Sequence, residues 1–343
     1  MLDSRKYISV FDDMKVVKGI ARTAIYDLAQ GNIFFVPGIV GEVLLEKKER
    51  TLGAILTELP EEEREWLLDI ITCLAEERII HQVDGRELER FTPSKETLFS
   101  SGLIYNAVIE LSGESRFLDE LEEIIIEMCR LQCRYVALVV RQSIGNHKIA
   151  SILQQIVRTD IQEFEVIWDC YDASRKTIEA CLASEKNRAV IIPVSLPNKK
   201  LKEEAFAQER VYLSEGAFIL DEEVMAAEIR NFFTVNKPFF YEAKNANPYF
   251  FKKVSIDRSG NIKNCLSQNF SYGNILDGSL EAILSGHSFQ ELWYVNKEKV
   301  RGCRDCEFRF ACFDMRPPRK MGHDTWEYST SCGYDVVQGQ WTR

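Results

Sequence analysis

Residues 303–312 read CRDCEFRFAC, and this short stretch decides how the rest of the chain is interpreted. Cys303, Cys306 and Cys312 follow a C-x2-C-x5-C pattern, and Cys332 follows further along the chain. A C-x2-C turn directs two thiolates at one centre, and the longer spacing returns the chain for a third. Four thiolates suit a tetrahedral zinc or an iron–sulfur cluster, and this donor set does not separate the two. The alternative is a group of buried free thiols.

The bulk composition is that of a globular protein with an acidic surface. The 343 residues are 45% hydrophobic and 28% charged, and the formal net charge is −10. A negative surface is a poor partner for nucleic acid and for anionic membranes. No apolar run is long enough to span a bilayer, and the first residues, MLDSRKYISVFDD, lack the apolar stretch of a signal peptide. We therefore expect a cytoplasmic protein without nucleic-acid or membrane partners, in which clustered cysteines are metal ligands rather than disulfides.

Residues 1–95 predict a small module in which strands precede helices. Strand patterns and then helical patterns occur in this order: 7–11, 15–20, 33–37, 51–56 and from Pro60 onward. The last helix opens with acidic residues, Glu61 to Glu63, as the helix dipole favours. Its apolar stripe is expected to include Trp66 and Leu67. The layout indicates a winged-helix-like module.

Residues 96–240 alternate strand and helix patterns, which indicates parallel βαβ units and an α/β fold class. Strands are expected at 107–111, 135–140, 164–168 and 189–194, and helices at 117–131, 148–158 and 174–183. A full eight-fold (β/α) barrel takes about 250 residues. This region is much shorter, so we expect a partial barrel or a short open sheet.

Residues 241–343 form a loop-rich third part that holds the cysteine run. A hairpin is expected from Val254–Ile256 to 262–265, with its turn at 257–260. Cys265 ends the second strand of this hairpin. Because few long apolar stretches occur here, a metal centre would supply folding free energy that a small core cannot.

The third part resembles the SPASM domain at the C-terminus of radical SAM peptide maturases. The matching residues are Gly260-x4-Cys265, the C-x2-C-x5-C run at 303–312, and Cys332. The resemblance implies that Cys303, Cys306, Cys312 and Cys332 hold one [4Fe-4S] cluster, with zinc as the alternative. A second cluster in that family needs further cysteines, and Arg316 stands where the relatives have one. We therefore expect one centre, with Cys265 only as an additional candidate ligand.

The radical SAM family also needs a C-x3-C-x2-C loop after its first barrel strand, and this chain lacks it. The loop after the first strand, residues 112–116, contains no cysteine. Cys129-x3-Cys133 is followed by Val136 at the third position. Its i,i+4 spacing favours buried free thiols, and Cys73, Cys170 and Cys181 are interpreted the same way. The middle region therefore resembles a radical SAM barrel that has shrunk and lost its active centre, and S-adenosylmethionine (SAM) is not expected to bind.

The N-terminal module resembles the PqqD-like element that recognises leader peptides. Such domains bind a peptide as an added strand, which requires an exposed strand edge beside a helix. Segments within 15–80 could supply both features. A DNA-binding winged helix is disfavoured by the acidic residues at 61–63, whereas a winged helix used for dimerisation leaves homo-oligomerisation open.

The whole layout resembles the SPASM proteins of grasp-with-spasm peptide systems. The segments that carry the resemblance are 16–28, 247–265, 272–275, 303–314 and 332–334, followed by a tryptophan. The resemblance implies a small ribosomal precursor peptide of the graspetide type and a partner ATP-grasp ligase. This chain has no phosphate-binding glycine loop of its own. We therefore expect a non-catalytic accessory protein of ribosomal peptide (RiPP) maturation that binds the leader and presents it to the ligase.

Two other functions remain open from the residues. One is a peptide-modifying enzyme that uses the C-terminal iron–sulfur centre, and the other is a structural zinc protein of an unrelated complex. Around the cysteines, Asp305 and Glu307 are expected to be solvated, and His323 is a less favoured replacement ligand. Four arginines either offset the charge of the centre or are solvated: Arg301, Arg304, Arg309 and Arg316.

Overall fold

The computed structural model describes residues 2–88, 101–141, 144–168, 179, 181–193, 210–214 and 229–342. Within these residues the chain is a mixed α/β protein, which confirms the predicted class. It contains a seven-stranded sheet, a three-stranded antiparallel sheet and three two-stranded pairs. No helix in this described part is both long and apolar enough to cross a membrane.

The N-terminal part begins with strands and continues with helices, as predicted, and a further short strand follows the third helix. Its strands and helices are, in chain order, β1 Tyr7–Val10, β2 Met14–Lys18, β3 Thr23–Asp27, β4 Asn32–Val36, α1 Gly38–Leu45, α2 Leu52–Thr57, α3 Glu61–Glu76, β5 Ile80–Val83 and α4 Gly85–Leu88. Strands β2, β3 and β4 form the three-stranded sheet, with β3 in the centre, and β1 pairs with β5.

Helix α3 shows where a periodic pattern succeeds and where it fails. Pro60 caps the helix with φ near −56°, which proline favours, and Glu61 to Glu63 occupy the first turn. Leu67 faces the core, whereas Trp66 is 43% exposed, so its predicted place in the apolar stripe is wrong. The neighbouring Cys73 is also exposed rather than buried.

The seven-stranded sheet confirms the predicted alternation of strands and helices. Its strands are β6 Asn106–Leu111, β7 Tyr135–Val140, β8 Glu163–Trp168, β9 Asn187–Pro193, β10 Val211–Ser214, β11 Lys253–Ile256 and β12 Ile262–Lys263. They lie in the order β10-β9-β8-β7-β6-β11-β12, and every neighbouring pair is parallel except β11 with β12. Among the described residues β10 and β12 do not pair with each other, so the sheet is open.

Two helices connect the first three parallel strands and cover the sheet. They are α5 Leu121–Arg130 and α6 Asn146–Arg158. The predicted helix at 117–131 begins later than expected because residues 116–118 form a 3-10 turn, with Phe117 fully buried. Cys133 and Cys181 are buried, as predicted for free thiols, and Cys129 is half-buried. Cys170 and most of the predicted helix 174–183 lie outside the described residues.

The C-terminal part begins inside the main core. Its elements are α7 Lys237–Asn245, α8 Leu280–Leu284, α9 His287–Gln290, β13 Arg319–Lys320, β14 Trp326–Glu327, β15 Tyr334–Asp335 and β16 Gln340–Trp341, besides the β11–β12 hairpin. Gly260 closes that hairpin with φ near +85°, a conformation that favours glycine. Because β11 pairs with β6, the sheet crosses the predicted boundary at 240/241, and Phe250 and Trp293 share a core with the parallel strands.

Candidate metal centre

The structure brings the four predicted cysteine ligands to one cavity. Cys303 begins a 3-10 turn and Cys306 directly follows it. Together with Cys312 and Cys332 they line a cavity of about 350 Å³. Three separate stretches of chain, around 303–306, 312 and 332, therefore meet at this cavity.

Local backbone geometry presents the thiols to the cavity. Gly302 precedes the 3-10 turn with φ near +80°, and Gly333 follows Cys332 with φ near +77°. These left-handed conformations favour glycine and turn the chain sharply beside each cysteine. The backbone N–H of Phe308 donates a hydrogen bond to Cys306 Sγ at 3.4 Å, which stabilises negative charge on that sulfur.

The donor set fits a thiolate-bound metal group. Burial raises the pKa of the Cys303 thiol and raises that of Cys312 to about 12, although the Lys297 ammonium lowers both. Such thiols bind metal as thiolates, and the positive charge of the metal offsets the cost of burying them. Among the described residues, no three cysteine, histidine or carboxylate side chains converge closely enough to hold a single metal ion.

The cavity is larger than the space that a single metal ion fills. A zinc ion needs its sulfur ligands about 2.3 Å away, so its four thiolates surround a very small space. A cavity of about 350 Å³ is much larger. Residues other than the cysteines, such as Ile229, Phe233 and Trp341, line the same cavity. Its volume is therefore not the space between the four thiols, and the donor set fits either zinc or an iron–sulfur cluster.

A buried group of charges lies beside the thiols. Lys297 Nζ donates to Asp314 Oδ2 at 2.7 Å, and Arg316 donates to the same carboxylate through Nη2 at 2.8 Å and Nε at 2.9 Å. The two cations hold the pKa of Asp314 down, to about 2, against the raising effect of its burial. Arg316 is only 1% exposed, so it is not a solvated residue.

The other arginines near the cysteines differ from Arg316. Arg301 and Arg304 are exposed, as expected for solvated residues. Arg309 is half-buried, and its Nη1 donates to the carbonyl oxygens of Lys18 at 2.7 Å and Cys306 at 2.9 Å. Arg309 therefore joins the cysteine loop to the end of β2.

Glu307 is the residue near the cysteines whose environment differs most from the sequence-based expectation. The sequence predicts a solvated residue, yet its side chain is fully buried. Its Oε1 accepts hydrogen bonds from Arg22 Nε at 2.7 Å and from the Tyr334 hydroxyl, and Oε2 has no hydrogen-bond partner among the described residues. The hydroxyl of Tyr26, in β3, donates to the Glu307 carbonyl at 2.5 Å. The N-terminal sheet therefore packs directly on the cysteine loop.

We call this contact the seam, and it consists of residues 18–26 against residues 305–310. Besides the Glu307 contacts, the N–H of Ile20 donates to the carbonyl of Asp305 at 3.1 Å. Gly19 lies so close that a Cβ there would be 2.8 Å from Glu307 Oε2. No local sequence signal predicts the seam, because its partners are separated by nearly the whole chain.

Two other candidate ligands lie away from the cavity. Cys265 is buried in the core of the seven-stranded sheet, with its Sγ 3.2 Å from Ser267 Oγ. His323 is exposed and does not line the cavity. Four of the five cysteines considered as metal ligands therefore line this cavity, and Cys265 does not.

A second cavity lies where a radical SAM loop would be expected. It follows the carboxyl ends of β6 and β11 and has a volume of about 360 Å³. Its lining is polar and contains no thiol: Ser112, Glu114, Arg116, Arg258, Ser259, Asn261 and Asn274. Ser112 is held by Ser115 Oγ, which accepts from its backbone N–H at 3.1 Å.

Comparison with known families identifies the cysteine-bearing region. Residues 249–307 match the model of the SPASM family, described as an iron–sulfur cluster-binding domain. The predicted SPASM resemblance is confirmed. The matched stretch, residues 249–307, contains Cys265, Cys303 and Cys306 and ends before Cys312.

Solved structures give a distant likeness over most of the chain. Crystal structures of SuiB from Streptococcus suis bound to S-adenosylmethionine and bound to the precursor peptide SuiA each align with a TM-score of 0.42 at 9% identity. Each alignment covers 90% of this chain and 94% of the SuiB chain. A further SuiB structure aligns with a TM-score of 0.41 at 10% identity, over 89% of this chain and 94% of that one. No curated protein matches the sequence.

Proposed function

We propose that this chain is an accessory protein of ribosomal peptide maturation. It binds the leader of a precursor peptide on its N-terminal sheet and presents the peptide to an ATP-grasp ligase in the cytoplasm. The observation that carries this proposal is the sheet β2-β3-β4, which packs on the cysteine loop through the seam and leaves β4 as an outer strand. Graspetide-type bond formation then belongs to the ligase.

Strand β4 has the properties of a peptide-binding edge. In the described part of the chain it pairs with β3 alone. Phe34 packs against the N-terminal core, while Phe35 faces the other way, 42% exposed and with its ring 5.5 Å from that of Phe308. An extended peptide can add to such an edge through main-chain hydrogen bonds, with alternate side chains contacting each face.

The other edge of the sheet is less available. The Lys18 carbonyl in β2 already accepts a hydrogen bond from Arg309. The Lys18 ammonium lies 2.8 Å from Glu46 and 3.5 Å from Glu42 of α1. Side chains therefore cover the end of β2, which favours β4 as the binding edge.

We assign a different role to each of the three parts of the chain. Residues 1–95 would be the PqqD-like recognition module and 96–240 a degenerate partial barrel without a thiolate loop. Residues 241–343 would be the SPASM-like part, which also contributes β11 and β12 to the sheet of the middle part. Cys303, Cys306, Cys312 and Cys332 would hold one [4Fe-4S] cluster, or a zinc ion in the alternative. With four protein thiolates the centre is closed to substrate, and it would cross-link separate chain segments beneath the seam.

A peptide with modified amides tests the strand-addition step directly. We would measure fluorescence anisotropy of a labelled candidate leader peptide with the intact protein. Two further leaders carry N-methyl groups on alternate amides, in the two opposite registers. Methylation of the register that pairs with β4 should weaken binding about tenfold, because each lost main-chain hydrogen bond costs about 1 kcal/mol. The opposite register is the matched control.

Two results would count against the proposal. If the unmodified leader does not bind, the chain is not the recognition component. If both methylated leaders bind as well as the unmodified one, the peptide does not add as a strand. Co-purification with the ATP-grasp enzyme then tests the second half of the proposal, and turnover by this chain alone would favour an enzyme instead.

A further inference from the structure

The buried charges beside the four thiols do not balance among themselves. Lys297 and Asp314 are each 3% exposed and Arg316 is 1% exposed. The group therefore holds two cations and one anion away from water. Burial of an ion costs several kcal/mol unless an opposite charge or good hydrogen bonds compensate.

The remaining partners of the two cations are neutral. Lys297 Nζ also lies 2.7 Å from the hydroxyl of Tyr328. Arg316 donates to the carbonyl of Thr330, and its guanidinium stacks 4.3 Å from the centre of the Tyr328 ring. These contacts satisfy donors and shield the charges, but they supply no second negative charge.

The excess positive charge faces the thiol cavity. Lys297, Asp314, Arg316 and Tyr328 all line it together with the four cysteines. The natural partner for this charge is therefore an anionic occupant of the same cavity. A metal group held by four thiolates is anionic, because the thiolates outnumber the positive charges of zinc or of a four-iron core.

We infer that Lys297 and Arg316 are built-in counter-charges for a negatively charged thiolate-bound metal group, and that Asp314, which pairs with both, offsets only part of their charge. Retention of the metal then depends on the buried charge as well as on the cysteines. The three residues are positioning residues, since none of them is proposed to touch the metal. This inference does not depend on peptide binding.

The test uses variants whose effects have opposite sign if the role is electrostatic. Arg316→Gln removes a positive charge, Asp314→Asn removes the negative one, and Arg316→Lys keeps the charge. Each full-length protein would be reconstituted without oxygen, once with iron and sulfide and once with Zn²⁺ alone. The readouts are metal bound per chain, the rate of its loss to a chelator, and the rise in Tm that metal produces over the apo-protein.

An electrostatic role predicts a definite order. Metal-induced stabilisation should be greatest in Asp314→Asn, intermediate in the wild type and Arg316→Lys, and least in Arg316→Gln. Loss of such a supporting partner typically lowers metal affinity about 10- to 100-fold, and we expect Arg316→Gln to fall in this range. Comparing each holo-protein with its own apo-protein removes general effects on folding.

A merely structural ion-pair network predicts a different result. Arg316→Gln and Asp314→Asn would then change metal-induced stabilisation in the same direction, or not at all, and either outcome overturns the inference. Failure of the wild type to take up iron or zinc would also overturn it. If Arg316→Gln does not fold, Lys297→Met removes the second cation and must show the same loss. Because no peptide is present, these outcomes are independent of leader binding.

Discussion

Two cavities of similar volume, about 360 Å³ at the sheet edge and about 350 Å³ among the cysteines, differ in how they are built. The sheet-edge cavity lies at the carboxyl ends of β6 and β11, where the strand order reverses and where open α/β sheets usually bind ligands. Its arginines, Arg116 and Arg258, are exposed. The cysteine cavity instead combines half-buried thiols with buried charges.

The difference shows which of the two cavities has side chains held in a fixed arrangement. Exposed loop residues cost little free energy to keep in place, whereas buried ions such as Lys297 and Arg316 cost several kcal/mol unless a partner compensates. Glu307 lies between Cys306 and Phe308, which line the cysteine cavity. Its hydrogen bonds with Arg22 and Tyr26 join this loop to the N-terminal sheet. The usual ligand-binding edge of the sheet is therefore the less organised of the two places.

Loss of one proposed metal ligand should change metal binding and stability more than any other substitution at the two cavities. Cys303→Ser should abolish nearly all metal binding and cost several kcal/mol of stability, since metal binding in such sites is folding free energy. Metal analysis and thermal unfolding measure both effects. The disturbance should be centred on residues 301–342, where Trp326 is the one buried member of the main core, whereas many residues anchor the segment before them there. Cys265→Ser is the matched control and should retain the metal; loss of metal there would make Cys265 a ligand.

Closer packing in the seam should have the next largest effect. A Cβ in Gly19→Ala would lie 2.8 Å from Glu307 Oε2 and 2.9 Å from the Arg22 carbonyl oxygen, which is backbone and cannot easily move. We expect a loss of about 1–3 kcal/mol in the free energy of unfolding, measured with denaturant.

The control for this variant is a glycine with free space. Gly38→Ala adds a Cβ in helix α1 that meets no atom within 4 Å, so it should be neutral or slightly stabilising. Equal effects of the two substitutions would show that the seam is not tightly packed.

The region beside the seam should also respond to pH. Burial raises the pKa of Glu242, in α7, to about 7. For a carboxylate whose pKa is higher in the folded state, stability is present below the ordinary pKa of about 4.5 and falls as pH rises to about 7. Glu242→Gln should therefore stabilise the protein at pH 8, by on the order of 1–3 kcal/mol, and have little effect at pH 4. An equal effect at both pH values would contradict the shift.

Changes at the sheet-edge cavity should have the smallest effect. Arg258→Ala removes an exposed side chain and should change the free energy of unfolding by less than about 0.5 kcal/mol. Metal content and leader binding should stay at wild-type values. A loss of either function would assign this cavity a role and would remove the contrast between the two regions.

Local patterns in the sequence predict much of the fold. Strand β7 has the predicted bounds, Tyr135–Val140, because a β-branched run between polar residues is a strong signal. Helix α3 begins directly after Pro60, as its proline and glutamates indicate. The spacing of the cysteines likewise predicts that four of them meet.

Features that depend on distant contacts are not predictable in this way. Central strand β3, Thr23–Asp27, is buried on both faces and therefore lacks the alternation by which a strand is recognised. Glu307 is an ordinary acidic residue in the sequence, and only its contact with Arg22, from the other end of the chain, makes it a buried one. The apolar character of Trp66 places it in the predicted stripe of α3, but apolar character does not determine burial.

The most direct test of a single thiolate-bound centre is metal and sulfide analysis of protein purified without oxygen, for the wild type and for Cys332→Ser. We predict a brown wild-type protein with about four irons and four sulfides per chain, and loss of both in the variant. About eight irons per chain, a protein without bound metal, or full metal content in Cys332→Ser would contradict this account, whereas a colourless protein with one zinc per chain would select the zinc alternative.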